Sequence, residues 1–248
     1  MNKNWHTLIG PSVLIFIWLF VSWSNIIDNF LLPGPIETTL SLFDLIWSKE
    51  VATDFWMTSL RTIISFTITS LVGIPLGLAL GSSEKLYQSF EFIIDFLRSM
   101  PATAVFPLFI LIFGVTDASK IAVAVFASIL IVIFNTAYGI MNASKLRILI
   151  AKIMGTNKLQ MFRSVLFWES LPQTFVGLRV ALNYCLILIV VAEMFIGTNV
   201  GLGRRIIDFQ ITYNIEAMYA TILITGLLGY LLNMVFATLQ NRLIHWNK

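Results

Sequence analysis

Glu193 is the one acid deep inside an apolar run, flanked by Val190-Val191-Ala192 and Met194-Phe195. An ionisable group in such a run is costly, and it marks a pathway, relay or gating role by default. Arg179, the base in the same run, lies fourteen positions away, roughly 21 Å along a helix. The two cannot pair within that run, and because Glu193 is near its end, the alternative is a side chain that reaches the interface. Asn135 and Tyr138 stand three apart, on one helical face, and Asn183 adjoins Tyr184. These are further pathway candidates, or else hydrogen-bonding groups between helices. No Lys or Arg stands centrally in a span. A tight anion site on a buried base is therefore not expected, and selection of an anion is expected elsewhere.

Other chemistry is excluded more firmly. No His lies beside a carboxylate, no span carries paired acids, and no activated nucleophile is evident, so no catalytic residue is assigned. Cys185 is the only cysteine, which removes disulfides and cysteine-based metal sites. His6 and His245 sit near opposite chain ends without ligand-like neighbours, and no metal site is expected. There is no glycine-rich phosphate loop followed by Lys-Ser or Lys-Thr, so no cofactor, ATP included, is expected on this chain.

The elements that position these residues are set by lipid. Of 248 residues, 58% are hydrophobic and 12% charged, about half the usual charged share. The net charge of +3 gives no argument for nucleic acid. Six spans are expected at about 8–24, 60–80, 98–115, 119–141, 175–197 and 217–239, in one transmembrane domain covering 1–248. Trp18 and Trp23 suit an interfacial belt on a retained first span. Pro35 starts a surface helix continuing through Thr38–Trp47. Gly73, Gly77 and Gly81, each four apart, allow another helix to approach the second span closely. The third span is short and carries Pro107, so a kinked or broken helix is expected there. With six spans both termini share one side, and placing the 143–172 loop in the cytoplasm puts eleven of the sixteen bases inside.

That loop is the most distinctive stretch. Lys145, Arg147, Lys152, Lys158 and Arg163 precede its first acid, Glu169. Leu146, Leu149, Ile150, Ile153 and Met154, then Leu159, Phe162 and Leu166, recur at helical spacing. Gly155 permits a bend between the two helical pieces, and Thr156 is the candidate cap of the second. A docking ridge for a cytoplasmic partner follows from this pattern, against the plainer reading of a loop held inside by its charge.

Taken together these motifs resemble the permease subunit of bacterial ABC importers, in the branch handling nitrate, sulfonates, taurine and bicarbonate. The resemblance rests on Leu32-Pro33-Gly34-Pro35, Gly77-Leu78-Ala79-Leu80-Gly81, Pro101, Phe106-Pro107-Leu108, Phe113-Gly114, Ser119-Lys120-Ile121, Gly177-Leu178-Arg179, Ala192-Glu193-Met194 and Gly201-Leu202-Gly203. In the loop, Ala151 and Gly155 fit the family's coupling pattern, while its Glu and first Ala positions hold Leu149 and Ile150. A proline frequent in the branch is replaced by Trp168. The resemblance implies an all-α membrane protein with about six transmembrane helices, in the type I ABC importer permease fold with a cytoplasmic coupling helix loop. It implies a multi-pass inner-membrane protein that forms a solute pathway for a small anion or organic solute and couples it to separate ATPase subunits, which use the ATP and Mg. The further partners would be a second, identical permease subunit and a substrate-binding protein. Coupling would fall to Ala151, Gly155, Thr156, Lys158, Phe162 and Pro172. The competing readings are an ion-coupled transporter working alone, a membrane-embedded enzyme, and the coupling subunit of a vitamin importer, whose Ala-Arg-type docking motifs are absent.

Overall fold

The computed structural model describes residues 5–24, 26–28 and 30–244, with side chains from Leu8 onward. His6 and His245, and the expected tail beyond Ile244, lie outside the described side chains. Among the described residues every regular element is helical. In chain order these are α1 (Trp5–Trp23), α2 (Pro35–Ile46), α3 (Lys49–Gly81), α4 (Glu84–Ser99), a 3₁₀ turn (Ala102–Val105), α5 (Phe106–Phe113) and α6 (Asp117–Met141). Then follow α7 (Lys145–Ile153), α8 (Lys158–Met161), a π-helical turn (Phe162–Leu166), α9 (Phe167–Phe195), α10 (Leu202–Ile211) and α11 (Ile215–Leu243).

Four helical stretches are long and apolar enough to cross a membrane: Lys49–Gly81, Asp117–Met141, Lys158–Phe195 and Ile215–Leu243. The shortest has 25 residues, about 37 Å against a ~30 Å hydrocarbon core. The stretch expected as one span at 98–115 is a broken pair, α4 and the 3₁₀–α5 segment meeting at 89°. Pro107 starts α5 instead of kinking it, because an N-terminal position needs no backbone N–H from it. The helix that contains the span expected at 60–80 begins eleven residues earlier, at Lys49. The second arm of the 143–172 loop is no separate piece: α8, the π turn and α9 run on as one helical stretch. α1 is a shorter apolar helix, and Trp18 donates its indole N–H to the Pro33 carbonyl at 3.1 Å, tying the Leu32–Pro35 turn to it.

α9 is the axial element. Its residues enter each of the buried clusters: Leu186 with Val51, Leu202 and Ile224; Leu178 and Leu182 with Val132 and Phe236; Ala192 with Phe106 and Val123; Ile189 with Ala124. α6 fills the space between α9 and α3 by close approach on both sides. On α3 a stripe of small buried residues, Thr58, Thr62, Ser65, Thr69, Gly73, Gly77 and Gly81, repeats every three or four positions. The last three meet α6: a Cβ at Gly77 would sit 2.6 Å from the Thr136 Cβ and 2.8 Å from the Ile133 carbonyl. The hydroxyls upstream turn back on their own helix, Thr62 to the Thr58 carbonyl and Ser65 to that of Arg61, both at 2.8 Å. Thr62 and Ser65 are thereby satisfied within α3 and leave no open donor facing α6.

Candidate functional site: a ridge at one end and an ionic clamp at the other

At the α7 end, Lys145–Ile153 is started by Ser144, whose hydroxyl accepts from the Arg147 N–H. α7 stops at Gly155, which takes φ +74°, a conformation that disfavours side chains with a Cβ. The chain re-enters helix at Asn157, not Thr156 as expected. The Asn157 side chain accepts from the Gln160 N–H while Gln160 returns a bond to the Asn157 N–H, both at 2.9 Å, a reciprocal capping box. Thr156 instead donates to the Ala151 carbonyl at 2.8 Å and closes the end of α7. Replacing Asn157 with alanine is expected to cost about 0.5–2 kcal/mol locally. Amide exchange should quicken over 157–161 and stay unchanged around Glu193.

Ala151 is buried under this turn, Lys158 is exposed, and Phe162 and Pro172 are half-buried. The apolar side chains point outward: Ile153 and Met154 are each 77% exposed, and Leu146 and Leu149 are exposed beside them. Arg147 grips Glu169 on α9 with two bonds, Nε to Oε1 at 2.6 Å and Nη2 to Oε2 at 3.0 Å. That fork fixes the angle between α7 and the long helix.

At the opposite end, Glu193 does not reach an interface. It is fully buried and holds Arg61 Nη1 at 2.7 Å. Thr58 Oγ1 donates to it at about 2.9 Å, and the Gly203 N–H donates at 3.1 Å. Arg61, itself 4% exposed, also bonds Asp117 through Nε at 2.9 Å and the Val200 carbonyl at 2.8 Å. Lys120, 2% exposed, reaches the same Asp117 oxygen at 3.0 Å. One turn above, Asp54 accepts from the Gly201 N–H and from Arg205 Nε, both at 2.7 Å, and Arg205 continues to Glu50 at 2.9 Å. Burial works against the charge on Arg205, but the Asp54 and Glu50 carboxylates outweigh it and raise its pKa above the ordinary value.

The clamp thus sews the Gly201-Leu202-Gly203 turn to α3, α6 and α9. Gly201 has φ +145° and Gly203 lies against the Val190 carbonyl, so neither site has room for a side chain. Two bases, Arg61 and Lys120, are buried here, at the clamp end of the bundle rather than at its middle, and both are paired with carboxylates. Their carboxylate partners lie on other helices or one turn away, which makes burial affordable only as a network.

The remaining candidates are not gathered into one place. Asn135 accepts from Gln173 on α9 at 3.0 Å and donates to its own helix at 2.8 Å. Asn183 accepts from Asn233 on α11. Both therefore bridge helices. Tyr138 is exposed and lines a recess of about 290 Å³ near Arg147 and Glu169, close to the ridge. Asp54, Thr58 and Arg61, which sequence reasoning passed over, stand at i, i+4 and i+7 on α3. That helical spacing was the available signal, hidden where the span was drawn too short.

Comparison with known proteins places this geometry. Residues 73–246 match the family described as binding-protein-dependent transport system inner membrane component. The nitrate import permease protein NrtB of Leptolyngbya laminosa is 29% identical, over 98% of this chain and 89% of its own length. The taurine transport system permease protein TauC of Escherichia coli is 26% identical, over 95% and 87%. The formylaminopyrimidine transport permease protein ThiX of Halalkalibacterium halodurans is 28% identical, over 100% and 99%. Among solved structures, a chain of the MetNI methionine ABC transporter in an inward-facing conformation superposes with a TM-score of 0.67 at 20% identity, covering 77% of this chain and 95% of that one. At that identity the likeness speaks for fold, the type I importer permease fold. With the family match extending from Gly73 on α3 through the ridge, Glu193 and α11, this chain belongs to the inner membrane components of binding-protein-dependent transport systems.

Proposed function

We propose that this chain is the permease subunit of an ATP-driven ABC importer and works as a pair of identical copies. The α7 ridge, comprising the exposed Leu146, Leu149, Ile153 and Met154, docks into a cytoplasmic ATPase subunit that uses ATP and Mg. A substrate-binding protein delivers the solute at the clamp end. Both termini then lie in the cytoplasm of a bacterial cell. The solute class is that of the relatives' names, a small anion such as nitrate, or a small organic solute such as taurine.

The observation that carries this reading is the ridge. Its apolar side chains are ringed by Lys145, Arg147, Lys152 and Lys158, all exposed. Such a ring of charge keeps the ridge out of hydrocarbon, and an apolar ridge facing water calls for a partner. Arg147–Glu169 joins that ridge to α9, so a push on it reaches the transmembrane body. An ion-coupled transporter is disfavoured because the fully buried carboxylate, Glu193, is already bonded to Arg61 and unavailable to a coupling ion.

The test is co-expression with an ABC ATPase subunit taken from the same genome, chosen by proximity of its gene to this one. The ATPase should co-purify in detergent, and the double change Ile153→Asp with Met154→Asp should abolish co-purification. Gly155→Val meets no neighbour within 4 Å but forces a valine into φ +74°. It should retain the ATPase and lose at least tenfold in ATP-coupled uptake. Normal co-purification by the double aspartate variant would defeat the reading.

A further inference from the structure

Arg98 ends α4 where the chain breaks. Met100 is extended (φ −76°, ψ 129°), as a residue before proline tends to be, and Pro101 then opens the 3₁₀ turn. The 89° bend leaves a recess of about 340 Å³ lined by Arg98, Pro101, Ala102, Phe126, Leu130 and Tyr184. Its depth follows from two helices independently. Phe126 and Leu130 lie nine and thirteen residues past Asp117, the start of α6, roughly 14–20 Å along it. Tyr184 lies eleven residues before Phe195, the end of α9, roughly 17 Å along that helix. The apolar floor of the recess is thus near the middle of the bundle, and the Arg98 guanidinium, against Phe134 seventeen residues past Asp117 and about 26 Å along α6, lies on its ridge side.

The Arg98 guanidinium lies over the Phe134 ring, 4.4 Å from its centroid. Its ion-pair partner is Asp95 at 3.6 Å, with both side chains exposed (41% and 64%). That distance is too long for a hydrogen bond, and such a pair is weak. A guanidinium exposed to hydrocarbon at this level is strongly disfavoured, so the face it lines is wet. The same face of α4 continues with Gln88, Glu91 and Asp95, all exposed, toward the ridge end. It forms a polar wall whose acids discourage an anion from settling anywhere but beside Arg98.

We propose that this recess is a transit site for a small oxyanion, the Arg98 guanidinium pairing two of its oxygens. A planar fork of N–H donors matches nitrate or a sulfonate head group, and the Phe134 ring holds the guanidinium plane. The Tyr184 hydroxyl supplies a further donor, and Pro101, Ala102, Phe126 and Leu130 take the carbon part of an organic sulfonate. A single half-exposed base binds weakly enough to release its ligand, as a transit site must. The proposal rests on the permease reading above and adds to it where the solute pauses and what chemistry it has.

The experiment uses cells expressing this chain with its neighbouring ATPase and capture protein, given labelled nitrate, labelled taurine and a neutral formylaminopyrimidine. The parent should take up nitrate or taurine, the two probes that carry an oxyanion group. Arg98→Gln should lower that uptake at least tenfold while the ATPase still co-purifies. Arg98→Lys should keep a substantial part of the maximal rate with a raised KM, and Tyr184→Phe should raise KM a few-fold. Uptake by Arg98→Gln within twofold of the parent would overturn the site. So would a parent that moves only the neutral solute, or loss of ATPase co-purification in Arg98→Gln and Arg98→Lys alike, which marks a merely structural arginine. Failure of the parent to bind any ATPase would instead remove the permease reading itself.

Discussion

Replacing Glu193 with alanine is expected to destabilise the chain by about 3–5 kcal/mol, the range for breaking a buried ion pair from one side. The change leaves Arg61 buried with a half-exposed Asp117 and a single carbonyl, and removes the acceptor used by Thr58 and the Gly203 N–H. The loss comes mostly from the stranded guanidinium rather than from the attraction it had enjoyed. The double change Arg61→Met with Glu193→Leu should therefore recover most of it, since an apolar pair of similar volume often matches a buried salt bridge. The measurement is the fraction of monodisperse protein surviving a heating series in detergent. A double variant no more robust than Glu193→Ala would show that the two charges act separately. Glu193→Gln, which keeps an acceptor for Thr58 and Gly203, should fall between parent and alanine variant.

Gly77→Val is expected to prevent the chain from accumulating as folded protein. The new Cβ alone would lie 2.6 Å from Thr136 and 2.8 Å from the backbone oxygen of Ile133, and a helix backbone on both sides cannot yield as a side chain can. Overpacking typically costs about 1–3 kcal/mol and sometimes more. Gly73→Ala meets only the Val132 and Ile129 side chains, at 3.0 Å and beyond, and should be milder. Gly226→Ala, with nothing within 4 Å, should be silent. Folded yield by size-exclusion chromatography of a fluorescent fusion ranks the three. Equal yields would mean that close approach of α3 to α6 does not govern assembly.

What the sequence made legible was whatever depends on neighbours along the chain. The limits of α6 and α11 follow from unbroken apolar runs, and the bend at Gly155 from the one residue type that accepts φ +74°. The Asn157–Gln160 cap was equally legible, an Asn-x-x-Gln pattern overlooked in favour of the threonine one position earlier. The clamp was not legible in the same way. Arg61 bonds Asp117 and Glu193, 56 and 132 positions away, and a window of sequence sees only an unpaired charge. That charge, with Asp54 and Glu50, is what pushed the expected start of the second span to about residue 60. Hydropathy penalises ions one at a time, whereas the fold buries them in sets. The broken third span was half visible: its shortness foretold an interruption, but the break falls at Met100–Pro101 rather than at Pro107, and the 89° angle and the recess inside it need α6 and α9 to be in place.

The grip of Arg147 on Glu169 and that of Arg61 on Glu193 lie on one uninterrupted helix, 24 residues apart, or about 36 Å. α9 is therefore a pushrod with a handle at each end. Its compliant points, the π turn at Phe162–Leu166 and Pro172, lie near the handle at the ridge. Tilting imposed there arrives at the far handle as a displacement of the Gly201–Gly203 turn, with little bending lost on the way. With an ATPase docked at the ridge as proposed, the far end would register nucleotide turnover while keeping its ion pairs intact.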